Sequence, residues 1–197
     1  TINFEGRDVT RTSAMDRCMA GIGRSFQIPQ PFEKLTVYEN LLVAATHGRR
    51  LGEAAVRDDC ADILERTEMI RRANTPAGQL SLLERKRLEL TRALCAKPKL
   101  LLLDEPLSAL DPRHTRDIMD RLHTLSRPGP NQRSVIIVLH DLGVAARYAD
   151  RIIALRDGQL VTTGPKWLSM TGTMLSDLFG TGLSVAEIDG KQTVVPA

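Results

Sequence analysis

Aromatic residues make up only 4% of this 197-residue sequence. So thin a supply argues against a base-stacking surface, the usual grip on single-stranded nucleic acid. Cysteine is scarcer still. Cys18, Cys60 and Cys95 are odd in number and far apart, with neither metal-ligand spacing nor a disulfide framework. They read as reduced, buried or incidental thiols of a cytosolic protein. No apolar run approaches the roughly 20 residues needed to cross a bilayer, and no charged-then-apolar leader opens the chain, so a secretory signal is not expected. The first residue is Thr1 rather than Met, which points to a natural N-terminus upstream or to processing. A strong excess of one charge is missing as well: 27 Lys and Arg against 24 Asp and Glu leave +3, spread along helix-like segments. Interspersed signs mean solvated faces, not a nucleic-acid footprint.

What remains is a globular composition, 42% hydrophobic and 26% charged, long enough for one domain with a sizeable core and an inserted second lobe. Residues 1–10 read as a short strand and turn punctuated by Gly6, residues 12–19 as a short helix broken by Gly21 and Gly23, and 24–28 as another short strand. Pro29 and Pro31 then impose a loop. Leu41, Leu42 and Ala45 give the first helical spacing, ended at Gly48. A second helix is expected over 53–72, and a third runs from near Ser81 to about Ala96, stopped by Pro98. The pattern then changes. Residues 99–103 and 134–139 are short apolar runs suited to strands buried on both faces. Helices follow at 113–125, closed by Arg127-Pro128-Gly129-Pro130, and at 142–148. Strands 151–155 and 159–162 flank Asp157-Gly158, a tight-hairpin signal. A short amphipathic helix at 174–179 and a last hairpin turning at Asp189-Gly190 close the chain. Strands alternating with helices argue for an α/β sheet, with the block from 37 to 96 inserted between two groups of strands.

Asp104 and Glu105 end the run Leu100-Leu101-Leu102-Leu103 and precede Pro106. Ligands of open α/β sheets bind at that carboxyl edge. An aspartate there can hold Mg²⁺, a hard cation that prefers oxygen. A neighbouring glutamate can orient or deprotonate a water for in-line attack on a phosphoryl group. An isolated acid pair is more simply a strand end; four leucines before it and a proline after it favour chemistry. His140 follows the second apolar run directly and can donate to a γ-phosphate or position the attacking water; alone it reads as a helix cap. Gln27, after Phe26, can ligate Mg²⁺ or a water, though a lone glutamine is ordinarily polar surface. Ser81 with Glu84 three residues later is a capping box that opens a helix, and helix N-termini attract phosphate.

The stretch KPKLLLLDEPLSALDP, residues 97–112, resembles the Walker B and D-loop segment of ABC-family ATPases. The resemblance implies that Asp104 is the magnesium-side aspartate and Glu105 the catalytic base. Ser108-Ala109-Leu110-Asp111 becomes the D-loop, which touches the opposite subunit and brings Asp111 to the nucleotide. His140, 35 residues after Glu105, is similar to the family's switch histidine. RSFQ followed by LTVYENLLVAA resembles the Q-loop and first helix of branched-chain amino acid importer ATPases, making Gln27 a magnesium and nucleotide residue. The signature LSGGQ appears as LSLLE. Ser81, Leu82, Leu83 and Glu84 thus face the ATP of the other subunit, and two leucines obstruct the close approach that glycines allow. The tail, with LSDLFG and DGKQTVVP, resembles the iron-chelate and heme group instead.

One family element is absent from the sequence: no G-x-x-x-x-G-K-[ST] occurs anywhere, although FEGRDVT resembles the segment just after it. Truncation is the simplest account. The resemblance implies a P-loop NTPase core of RecA-like α/β type, with a mostly parallel sheet and an inserted α-helical subdomain. Residues 1–36 would be partial core with the Q-loop, 37–97 the helical subdomain, 98–165 core again and 166–197 a tail. ATP and Mg²⁺ are the implied cofactors. A second ATP-binding subunit and transmembrane permease subunits are the implied partners, at the cytoplasmic face of the membrane, with no nucleic acid. The implied function is energising import of a small solute, amino acid type favoured. A non-catalytic binding subunit, or a non-transport ABC ATPase, is the alternative.

Overall fold

The computed structural model describes residues 1–108, 110–129, 132–188 and 190–197, in two compact units, 1–138 and 139–197. In the first unit a two-residue hairpin, β1 (Asn3–Phe4) and β2 (Arg7–Asp8), precedes α1 (Ala14–Ala20). Three parallel strands follow in spatial order: β3 (Ile22–Ser25), β4 (Leu100–Asp104) and β5 (Ser134–Val138). The first pairing runs from Ile22–Leu100 to Ser25–Leu103, and the second from Leu100–Ser134 to Asp104–Val138. The helices α2 (Val37–Arg49), α3 (Arg57–Arg66) and α4 (Leu82–Cys95) all lie in the connection from β3 to β4, and α5 (Pro112–Ser126) connects β4 to β5. The parallel sheet with a helical insertion is as expected.

Three expectations need correction. The strand placed at 24–28 is β3 at Ile22–Ser25. Gly21, at φ 106°, closes α1 and its carbonyl accepts the N–H groups of Lys99 and Leu100, so pairing with β4 starts at once. The strands are not buried on both faces: Leu101 and Leu103 are 0% and 2% exposed, whereas Ile136 and Val138 are 47% and 48% exposed. The single helix over 53–72 is broken into a 3₁₀ turn (Glu53–Ala55), α3 and a second 3₁₀ turn (Ile70–Arg72). The break falls where the Thr67 hydroxyl bonds back to the Ile63 carbonyl at 2.7 Å and Glu68 takes φ 58°. A threonine that satisfies a carbonyl of the preceding turn offers the backbone an alternative to another helical turn.

The helical block has its own core. Val37, Leu41 and Ala45 recur every four residues on α2 and bury against Cys60 and Leu64 of α3 and Leu88 and Cys95 of α4. Thr36 caps α2 with a full capping box: its hydroxyl accepts the Glu39 N–H at 3.2 Å, and Glu39 accepts the Thr36 N–H at 2.7 Å. Gly48 lets the ends of α2 and α4 meet, since a Cβ there would stand 2.8 Å from the Ala96 Cβ. Asp59 of α3 bridges both ends, to Arg49 of α2 and, at 2.7 Å, to Lys97 just past α4.

The second unit begins with α6 (Leu142–Tyr148), capped by Asp141, and the antiparallel hairpin β6 (Arg151–Arg156) and β7 (Gln159–Pro165). Asp157 and Gly158 take φ 51° and 74°, the left-handed pair that a tight turn of this twist requires. After α7 (Lys166–Ser169) and α8 (Gly172–Phe179), the hairpin β8 (Leu183–Ile188) and β9 (Lys191–Pro196) closes the chain. Ala146, Met170 and Leu175 form its small core. Two residues of expected turns, Pro130 and Asp189, lie outside the described residues.

Leu88→Ala removes a side chain that is wholly buried in the helical block. It should destabilise the chain by about 2–5 kcal/mol in urea unfolding; Leu82→Ala, at a site 56% exposed, should change it by less than about 0.5 kcal/mol. Hydrogen bonds from Lys97 and then Arg49 hold the Asp59 carboxyl below the ordinary aspartate value of 3.8. A folded-state pKa below the unfolded one means stabilisation fully present above 3.8 and lost as pH falls through the lower, folded value. Asp59→Asn should therefore cost about 1 kcal/mol at neutral pH, with the gap to the unaltered chain closing in melts below the ordinary aspartate range.

Candidate functional site

The parallel register delivers Ser25 and Leu103 side by side, so whatever follows β3 and β4 emerges at one rim. Gln27 stands two residues past β3, and Asp104 and Glu105 end β4. The Gln27 side-chain N–H donates to Glu105 Oε2 at 2.9 Å, joining residues 78 apart in sequence. Glu105 takes φ 44°, the left-handed region that a non-glycine residue rarely adopts, so its peptide turns sharply out of the strand. Asp104 is partnered by Arg24 of β3, whose Nη2 lies 3.5 Å from Oδ2 while its guanidinium carbon stands 5.0 Å from the Phe26 ring centroid.

The turn after the acid pair is held from α4. Lys86 donates to the Ser108 carbonyl and, at 2.7 Å, to its hydroxyl; that hydroxyl in turn donates to the Glu105 carbonyl at 3.0 Å. Burial pushes the Lys86 ammonium down, and the Glu105 charge opposes that. Neither Lys86 nor Arg24 was singled out from the sequence. Lys86 is one of the basic run Arg85-Lys86-Arg87 and Arg24 stands alone among apolar and polar residues, and only the fold shows which cations face the carboxylates.

Ser81 caps α4 as expected. Its hydroxyl accepts the Glu84 N–H at 3.3 Å, and Glu84 accepts the Ser81 N–H at 2.9 Å. Burial pushes the Glu84 carboxyl up, but the Ser81 bonds and the Arg72 guanidinium, 2.7 Å away, outweigh it and leave it below the ordinary range. The box engages the N-cap and third amides, and Leu82, the first residue of α4, is 56% exposed. Asp111 caps α5, accepting the His114 N–H at 3.0 Å, and that bond, with the His114 ring behind it, holds its carboxyl low. Ala109, between Ser108 and Asp111, lies outside the described residues. His140 is exposed and belongs to the second unit, one residue before the α6 cap Asp141.

The structure thus brings Gln27, Asp104 and Glu105 to one rim, sets Ser81 to Glu84 at the start of α4 and uses Asp111 as a cap. Among the described residues no three His, Cys, Asp or Glu side chains converge as a protein-only metal cage. A carboxylate oxygen and an amide oxygen at one rim do fit a hard cation that takes its other ligands from water and phosphate.

A parallel α/β sheet with a helical block in its first crossover and an acid pair at its carboxyl edge has the fold of an ATP-binding cassette. The ADP conformation of MJ1267, an ATP-binding cassette of an ABC transporter, superposes with a TM-score of 0.75 at 25% identity, covering 90% of this chain and 74% of that one. The ABC transporter family matches residues 1–108, and the chain belongs to that family. The glutamate/glutamine/aspartate/asparagine transport ATP-binding protein BztD of Rhodobacter capsulatus is 33% identical over 147 residues, which cover 75% of this chain and 55% of BztD. The phosphonates import ATP-binding protein PhnC 1 of Halalkalibacterium halodurans is 34% identical over 200 residues, which cover 97% of this chain and 77% of that protein. The chain therefore spans about half the length of BztD.

Ser81→Ala removes the hydroxyl half of the α4 cap. It should cost about 1 kcal/mol in denaturant unfolding, whereas Ser81→Asp, which restores an acceptor, should recover most of it.

Proposed function

We propose that this chain is the ATP-binding and ATP-hydrolysing part of an ABC importer that moves a small solute, with amino acids favoured. The observation that carries the reading is the 2.9 Å hydrogen bond between Gln27 and Glu105, beside Asp104, at the carboxyl edge of the parallel sheet. A residue from the loop that leads into the helical block there touches the carboxylate best suited to act on water. The names of BztD and PhnC 1 support import of a small polar solute, and BztD with the branched-chain-like Q-loop segment favours an amino acid.

In this reading residues 1–36 and 98–165 belong to the core, 37–97 form the helical subdomain and 166–197 the tail. Asp104 and the Gln27 amide oxygen hold magnesium, which supplies charge neutralisation at the phosphates when bound. Glu105 orients the attacking water and accepts its proton, and the Gln27 N–H keeps that carboxylate aimed before substrate arrives. Lys86 fixes the turn that carries Glu105. His140 donates to the γ-phosphate. The start of α4, with Ser81 and the amides of Leu82 and Leu83, and the segment ending at Asp111 meet the nucleotide held by a second ATP-binding subunit. Exposed Leu82 in place of glycine weakens that half-site. Permease subunits place the pair at the cytoplasmic face of the membrane.

The sequence holds no G-x-x-x-x-G-K-[ST], the loop whose amides cradle phosphate. The chain alone should then bind ATP weakly in titration calorimetry and release phosphate at background; robust turnover refutes this part of the reading. Completed with a strand–G-x-x-x-x-G-K-T–helix segment, it should gain ATPase activity. Glu105→Gln should then reduce that activity roughly a hundred- to ten-thousand-fold, and a fully active Glu105→Gln form would remove Glu105 from its role.

A further inference from the structure

Glu89 and Arg92 lie one turn apart on α4 and form a largely buried ion pair, with Arg92 Nη1 3.2 Å from Glu89 Oε2 and the side chains 19% and 10% exposed for Arg92 and Glu89. Glu89 is only 8% exposed, and burial pushes its carboxyl up against the opposing pull of Arg92 and of the Gln30 N–H. The same Arg92 nitrogen donates to the Gln30 carbonyl at 2.9 Å, and the guanidinium carbon lies 5.0 Å from the Phe32 ring centroid. Gln30 stands between Pro29 and Pro31, which have no N–H, so it carries the single backbone donor of that tripeptide. Both of its peptide groups face the pair: its carbonyl is bonded to the cation, and its N–H dipole favours the charged carboxylate.

The segment beyond Gln30 is tied to the helical block at Phe32, Glu33 and Leu35. Phe32 gives its N–H to Asn40 Oδ1 at 2.9 Å and takes the Asn40 amide on its carbonyl at 3.1 Å, with Asn40 wholly buried on α2. The Glu33 and Leu35 carbonyls accept the N–H groups of Gly78 and Ala77 at 3.0 and 2.9 Å, in the turn that leads to Ser81. Before Gln30 the picture reverses. Phe26 and Ile28 are 52% and 71% exposed, and Gln27 reaches across to Glu105.

We infer that Glu89 and Arg92 are positioning residues: they clamp Gln30 onto α4, make residues 30–36 part of the helical block, and leave 26–29 as the short span through which the orientation of α4 reaches Gln27. The coupling role rests on the reading of Gln27 as a site residue; the clamp itself does not. Removing one member of a buried pair strands the other, whereas replacing both with apolar residues is commonly tolerated. The test is therefore the double variant Glu89→Leu/Arg92→Leu, with Arg92→Lys as a milder form that keeps the charge but loses the planar guanidinium over Phe32.

The readouts are amide exchange at Gln30 and the NMR signals of the Gln27 side-chain amide, both in the chain as it stands without nucleotide. The double variant should melt within about 5 °C of the unaltered chain, exchange the Gln30 amide at least roughly tenfold faster and shift the Gln27 signals; Arg92→Lys should fall between. An unaltered Gln30 rate, acceleration spread evenly over α4, Gln27 signals that stay in place, or free-peptide exchange at Gln30 before any substitution would each overturn the inference. If the double variant does not fold, the same readouts on Arg92→Lys decide. An active Glu105→Gln cassette would sink the nucleotide reading and leave these exchange results standing.

Discussion

The site depends on the parallel pairing of β3 with β4. Four residue pairs, from Ile22–Leu100 to Ser25–Leu103, fix where the two strands stop relative to each other. Slip that register by one residue and every side chain changes face. Gln27 would then leave the rim, and Arg24 would no longer stand beside Asp104. The left-handed turn at Glu105 adds to the constraint. It bends the backbone out of the strand in a conformation that costs a non-glycine residue free energy. The Gln27 contact and the Ser108 bond to the Glu105 carbonyl hold it there.

The helical block contributes rigid handles to that rim. It is inserted in the crossover between the two strands that carry the site, so its attachments act on both. Lys86 reaches from α4 to the turn after Glu105, and Arg92 reaches from the same helix to the loop after Gln27. One helix thus touches the supports of both partners in the Gln27–Glu105 hydrogen bond. The capping boxes at Thr36 and Ser81 fix the starts of α2 and α4, and the shared core of Val37, Leu41, Leu64 and Leu88 packs the helices of the block together.

Much of this was legible from the residues because local chemistry decided it. Asp157-Gly158 permits a tight turn of the right twist and makes one; Ser81 with Glu84 can close a capping box and does. The acid pair after four leucines ends a parallel strand. Where local signals were balanced, the reading failed. Residues 53–72 carry an almost unbroken helical pattern, yet Thr67 and the left-handed Glu68 end α3 at Arg66. Arg24 to Ile28 look like a strand, yet the sheet takes Ile22 to Ser25, because the carbonyl of Gly21 is already bonded to Lys99 and Leu100. Apolar runs at 99–103 and 134–139 suggested burial on both faces, and solvent still reaches Ile136 and Val138.

The sequence by itself determined the family, the acid pair at a strand end and the start of α4, since each lies in a short run whose chemistry depends on neighbours along the chain. Tertiary structure alone decided which distant groups meet: Gln27 with Glu105, Lys86 with Ser108, Arg92 with Gln30 and Asp59 with both Arg49 and Lys97. The physical reason is that charge and hydrogen-bonding capacity are properties of a residue, whereas a partner is a property of place. A chain with 27 basic and 24 acidic side chains has many ways to pair them, and only strand register and helix packing select among those.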